Sequence, residues 1–166
     1  MPAPGDAALL ELARRLAGRL PEQGQLLATA ESCTGGLIAK CLTDVPGSSA
    51  WFERGWVTYS DRAKRQELGV AAGLIKQHGA VSERVARAMA RGALQFSLAS
   101  VSVAVTGIAG PDGGTPEKPV GTVWIAWARR EGVHTRVESR RFLFSGDRDA
   151  VRRQSAEEAL KGLLEA

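Results

Sequence analysis

The chain has 166 residues, 44% hydrophobic and 24% charged, values that suit one globular domain over 1–166 and exclude extensive disorder. Its net charge of +4 would suit an anionic ligand, but Arg14, Arg15, Arg19, Arg129, Arg130, Arg140, Arg141, Arg152 and Arg153 are spread along the chain rather than gathered in a stripe. One Tyr and four Phe give few platforms for stacking bases, so nucleic acid is not an expected partner, and no apolar run approaches membrane-spanning length.

After MPAPG, expected to fray, Asp6 is expected to cap a helix in which Leu9, Ala13, Leu16 and Leu20 recur at helical spacing, with Pro21 as its stop. Residues 25–30 read as a buried strand, and 34–42 as a helix begun by Gly35 and Gly36 and ended before Pro46. A second strand is expected over 52–59, then a polar helix over 61–68 that carries Lys64 and closes at Gly69. A short helix over 71–77 and a longer one over 82–98, capped by Ser82, precede the clearest strand, 101–106.

Residues 107–121 then form a Gly- and Pro-punctuated loop too long for a mere connection. Residues 122–128 and 134–142 read as a hairpin turning at Gly132, and Asp147 caps a final helix. Three βα units followed by a hairpin predict a three-layer α/β/α fold with a mixed, mostly parallel sheet of about five strands, one of them antiparallel.

Cys33 and Cys41 have no metal-binding spacing and make no disulfide framework, and the N-terminus is unlike a secretory signal. A reducing, cytoplasmic setting is expected. Exposed apolar residues such as Trp51 or Trp56 are candidates for a homodimer interface.

In open α/β sheets ligands bind beyond the carboxyl ends of the strands, and loops 30–36, 59–64 and 106–115 leave such ends. The first places Ser32, Cys33 and Thr34 before a Gly-Gly helix start, whose free N–H groups and dipole would stabilise an oxyanion or a phosphate. The same pattern serves equally well as a helix cap. Cys33 is the rival nucleophile; neighbours on a turn point differently, so one of the pair faces the cleft and the other is a buried residue.

His78 and His134 sit in positions that suit structural roles. Lys64 is the better base, since a lysine desolvated beside Arg62 or Arg65 would lose its proton near neutral pH; the alternative is a solvated lysine on a charged helix. Arg148, opening the last helix, is a candidate phosphate clamp. Asp112 and Glu117 lack a companion ligand, so no metal or other cofactor is expected.

The segments TAESCTGG (29–36), GWVTYSDRAKRQELGV (55–70), HGAVSE (78–83), VTGIAGPDGG (105–114), PVGTVWIA (119–126) and FSGDRDAVR (144–152) resemble, in that order, the CinA carboxy-terminal domain family and its stand-alone nicotinamide mononucleotide amidohydrolases of the PncC type. The resemblance implies hydrolysis of nicotinamide mononucleotide to nicotinate mononucleotide and ammonia by a Ser32/Lys64 dyad. It implies Tyr59, Thr106 and Arg148 as substrate-positioning residues. Glu31, Thr34, Gly35 and Gly36 at the helix start, and Gly107, Ile108, Ala109 and Gly110 in the facing loop, complete the candidate substrate site. The expected oxyanion donors are the N–H groups of that helix start.

The chain departs from the pattern at Asp61, where the resemblance implies Asn. Longer members carry an amino-terminal domain resembling molybdopterin-biosynthesis proteins, whose activities are not carried over. Two other readings are open: a non-catalytic nucleotide-binding module of the same fold, and a competence- or DNA-damage-associated factor.

Overall fold

A computed structural model describes residues 2–165; Met1, within the stretch expected to fray, lies outside the described residues, as does Ala166. The elements are α1 (Asp6–Glu22), β1 (Leu27–Glu31), α2 (Leu37–Thr43), β2 (Phe52–Val57), α3 (Asp61–Leu68), α4 (Ala72–His78), α5 (Glu83–Gln95), β3 (Val101–Gly107), β4 (Thr122–Glu131), β5 (His134–Leu143) and α6 (Arg148–Glu165). One five-stranded sheet has the order β2-β1-β3-β4-β5. The first three strands are parallel, and β4 runs antiparallel to both of its neighbours, as the hairpin requires.

Alternation along the strands sorts side chains by size between the two faces. Leu27, Val101, Val103, Val105, Val123, Ile125 and Trp127 face one core with α1, α2 and α6. Ala28, Ala30, Ala104, Ala126 and Ala128 face the other, where α5 contributes Ala86, Met89, Ala90 and Ala93. Small residues on both surfaces let α5 lie close to the sheet, and the Ser102 hydroxyl donates to the Ala90 carbonyl at 2.7 Å. Gly92 extends this closeness to α3, because a Cβ there would collide with the Leu68 carbonyl. The packing therefore sets the position of α3, and with it Lys64.

The local expectations need several corrections, among them β2 stopping at Val57 rather than 59 and α5 at Gln95 rather than 98. Gly5, not Asp6, is the N-cap of α1, and Pro21 lies inside the last turn, so the helix ends at Glu22 instead of before the proline. Gly35 and Gly36 adopt left-handed φ of 60° and 99°, which makes 33–36 a turn and delays α2 to Leu37. β4 runs to Glu131, beyond the expected end, paired throughout with β5. Trp51 is 2% exposed and belongs to the core, so it offers nothing to an interface.

Among the described residues no helix is long and apolar enough to cross a membrane. Three arginines close helix C-termini: Arg19 donates to the Leu164 carbonyl, Arg129 to that of Leu163, and Arg130 to that of Leu94, while Arg130 also reaches the Ala99 carbonyl in the loop after α5.

Candidate active site

The carboxyl ends of β1, β2 and β3 open onto a cleft of about 270 Å³. Ser32 follows β1 directly, its N–H donating to the Val105 carbonyl at 3.0 Å and its carbonyl accepting from Gly35 at 3.0 Å. Lys64 comes from α3, which starts cleanly because the Ser60 hydroxyl accepts from the Ala63 N–H at 3.0 Å. Lys64 and Leu68 are four residues apart on one face of α3, so anchoring Leu68 in the core carries Lys64 inward with it.

The Lys64 side chain reaches across to Ser32, with Nζ 2.9 Å from Ser32 Oγ. It also donates to the carbonyls of Thr58 at 2.8 Å and Tyr59 at 3.3 Å. Lys64 is 1% exposed, and among the described residues no carboxylate lies within ion-pair distance of it. Burial pushes its pKa down from the ordinary lysine value, opposed by the charge of Asp61. Arg62 and Arg65, expected to drive this shift, are exposed and take no part in it; removal from water does the work.

Cys33 also touches the cleft, but burial pushes its thiol up to about 12, with Glu31 adding in the same direction. The thiol is therefore protonated at neutral pH and a poor nucleophile. Ser32, 7% exposed beside Lys64, is the better placed of the two.

The helix start does not offer the free N–H groups expected of it. The buried Glu31 carboxylate accepts from Ile38 N–H at 2.9 Å and Ala39 N–H at 3.1 Å, while Leu37 N–H donates to the Thr34 carbonyl at 3.0 Å. Burial raises the Glu31 pKa, and those two N–H groups are among the influences that pull it down. The start of α2 is already occupied by a carboxyl group from the chain itself. Glu31, Thr34, Gly35 and Gly36 thus lie behind the cleft instead of lining it.

Tyr59, Thr106, Gly107, Ile108, Ala109, Gly110 and Arg148 do line it. Ile108 is fixed to the hairpin strand by its N–H to Thr122 at 2.9 Å and by its carbonyl accepting from Gly121 at 2.8 Å. The N–H groups of Ala109 and Gly110 make no hydrogen bond among the described residues, nor do those of Cys33 and Thr34. Arg148 donates to the Gly110 carbonyl and to the Tyr59 hydroxyl, each at 2.8 Å, so one guanidinium joins α6 to two walls of the cleft.

Sequence reasoning missed Ala80 and Val81, which close the cleft from the turn before α5. The Thr106 hydroxyl donates to the Ala80 carbonyl at 3.0 Å, and HGAVSE was the signal available for this wall. A larger depression of about 370 Å³ lies at the far end of β4 and β5, beside Trp127 and Arg129. There Arg136 pairs with Glu138 and Arg140 with Glu165, and no serine, cysteine or lysine is among the residues that line it.

The structure brings a serine and a buried lysine together at the strand ends of a three-layer α/β/α sheet, and known proteins give the class. The CinA C-terminal domain model matches residues 9–166, and the chain belongs to that family. The nicotinamide-nucleotide amidohydrolase PncC of Escherichia coli strain K12 is 54% identical over 160 residues, 95% of this chain and 94% of that protein. A protein of the same name from Pseudomonas putida is 56% identical over 93% of this chain and 94% of its own length. A CinA-like protein of Akkermansia muciniphila is 60% identical over 89% of this chain, but this chain spans only 35% of that longer relative. Among solved structures, the competence/damage inducible protein CihA of Agrobacterium tumefaciens superposes with a TM-score of 0.92 at 46% identity, covering 98% of this chain and 96% of that one.

Proposed function

We propose that this chain is a nicotinamide-nucleotide amidohydrolase that releases ammonia from nicotinamide mononucleotide and leaves nicotinate mononucleotide. The observation that carries the reading is Lys64 Nζ at 2.9 Å from Ser32 Oγ, in a chain 54% identical over nearly its whole length to a relative of that name. Neutral Lys64 takes the Ser32 proton, and Ser32 Oγ attacks the carboxamide carbon. The Lys64 ammonium then gives that proton to the departing amine, which leaves as ammonia. Water, deprotonated by the same lysine, attacks the acyl-serine, and the lysine returns that proton to Ser32 Oγ as the acid departs.

With α2 closed by Glu31, the oxyanion donors are the unengaged N–H groups that border the cleft, from Cys33 on one side and Ala109 and Gly110 on the other. Arg148, held by Tyr59, receives the phosphate, and Thr106 shapes the wall beside it. The two free thiols suit a reducing cytoplasm. Exposed Val57, Phe96 and Leu98 suit a homodimer contact, which size-exclusion chromatography checks.

Ammonia release measured with nicotinamide, its riboside, its mononucleotide and NAD tests the reading. The mononucleotide should be turned over best, and Ser32→Ala should abolish the reaction. No ammonia from any of the four, or undiminished turnover by Ser32→Ala, rejects it.

A further inference from the structure

Arg152 lies one helical turn beyond Arg148 on α6, yet it does not line the cleft. It meets the Ser32 turn from behind. Its Nε donates to the Cys33 carbonyl at 3.1 Å and its Nη2 to the Thr34 carbonyl at 3.0 Å. Among the described residues no carboxylate is within ion-pair distance of it, whereas the adjacent Arg153 is held by Asp6 at 2.7 Å and Asp149 at 2.9 Å. A half-buried guanidinium that binds two successive neutral carbonyls forgoes the stronger carboxylate partner, so its place is set by the turn.

The turn is shaped to receive it. Gly35 has a φ of 60°, and a Cβ there would stand 3.2 Å from Arg152 Nη2. From the other end of the turn, the Glu31 carboxylate collects the N–H groups of Ile38 and Ala39. The guanidinium therefore holds the carbonyls of the turn while the Glu31 carboxyl group holds the first turn of the helix that follows it. Each peptide plane is rigid, so fixing the Cys33 and Thr34 carbonyls fixes the orientation of the backbone that follows Ser32.

We propose that Arg152 is a positioning residue of this active site: through the Cys33 and Thr34 carbonyls it sets where Ser32 Oγ stands relative to Lys64, without touching substrate. The inference rests on Ser32 being the nucleophile. Its loss acts on kcat, because a displacement of about 1 Å at the reacting atoms costs on the order of a hundredfold. KM for the mononucleotide, governed by Arg148, changes by less than about twofold.

The test compares wild type, Arg152→Ala and Arg152→Lys for ammonia release from nicotinamide mononucleotide and for the rate at which a sulfonyl fluoride labels Ser32, read by peptide mass. Both variants are expected to keep the wild-type circular dichroism spectrum and to lose roughly tenfold to a hundredfold in kcat and in labelling. Added guanidinium ion should restore part of both to Arg152→Ala but not to Arg152→Lys, whose ammonium still occupies the space. Labelling and turnover of Arg152→Ala within twofold of wild type overturn the proposal, as does a loss that tracks the folded fraction and is not restored by guanidinium. If Arg152→Ala does not fold, Arg152→Lys decides: lower kcat at unchanged KM supports the role, and wild-type kinetics remove it. Labelling needs no substrate, so the two readings fail separately. Absence of ammonia from wild type rejects the amidase, whereas equal labelling of wild type and variant rejects the role of Arg152.

Discussion

Lys64 Nζ stands 2.9 Å from Ser32 Oγ while the carbonyls of Thr58 and Tyr59 accept from the same nitrogen. A neutral amine has two protons and one lone pair. If the two carbonyls take the protons, the lone pair is left for the serine hydroxyl, which is the arrangement a general base needs. Burial favours that neutral form.

Activity should therefore fall on the acid side as Lys64 gains its proton. The pKa of that limb in kcat/KM is expected below the ordinary lysine value of 10.5. Lys64→Met should remove activity by roughly a hundredfold to ten-thousandfold. An unchanged pH profile in that variant would show that another group is the base.

The same shift links stability to pH. Between the lowered folded pKa and the unfolded value of 10.5, the unfolded chain binds more protons at Lys64, so wild-type stability rises with pH across that window. The slope is at most about 1.4 kcal/mol per pH unit. Urea unfolding of wild type and Lys64→Met should show the variant's relative stability highest at low pH, with the difference shrinking toward 10.5.

Asp61 replaces the Asn that the family resemblance implies, and its carboxylate favours the charged form of Lys64. Asp61→Asn should move the acid limb to lower pH and raise activity at neutral pH, with little change at the alkaline plateau. Initial rates across pH for the two proteins check this directly. A shift in the opposite direction would contradict the electrostatic assignment.

Arg148 is assigned to the phosphate. Arg148→Met should raise KM for the mononucleotide by about tenfold to a hundredfold, the worth of a charged hydrogen bond, and leave the riboside nearly unaffected. Tyr59→Phe, which removes the hydroxyl that steadies Arg148, should show a smaller effect of the same kind. Equal losses on both substrates would argue against the phosphate role.

Cys33, with its thiol pushed up to about 12, should be dispensable as a nucleophile. Cys33→Ala is expected to keep more than about a third of wild-type kcat, with some loss of thermal stability from the vacated volume. Abolished ammonia release from a folded variant would reopen the choice between the two neighbours.

Much of the fold was readable because periodicity reports which faces are buried. The span of α3, the Ser82 cap of α5 and the hairpin all follow from local pattern. Ser32, Lys64 and Arg148 were candidates because they border strand ends or open a helix, positions that chain order reveals. Their separation in space was not available from that order, since it depends on Gly92 admitting α3 against α5.

Other errors came from tertiary competition. Gly35 and Gly36 looked like an open helix start, but a buried Glu31 carboxylate occupies that start, and no local pattern tells an interior carboxylate from a solvated one. Trp51 looked exposed and is core. Arg152 was counted only as one of the arginines spread along the chain. Its one signal was its spacing of four residues from Arg148, which puts both on one side of α6.

That side of α6 reaches Tyr59 and Gly110 through Arg148, and Cys33 and Thr34 through Arg152. In chain order it follows every other element of the site. During synthesis, Ser32 and Lys64 therefore emerge well before either arginine. A product terminated between β5 and α6 would contain Ser32 and Lys64 and lack both arginines, so on the proposed roles amide hydrolysis is expected only once the final helix has docked.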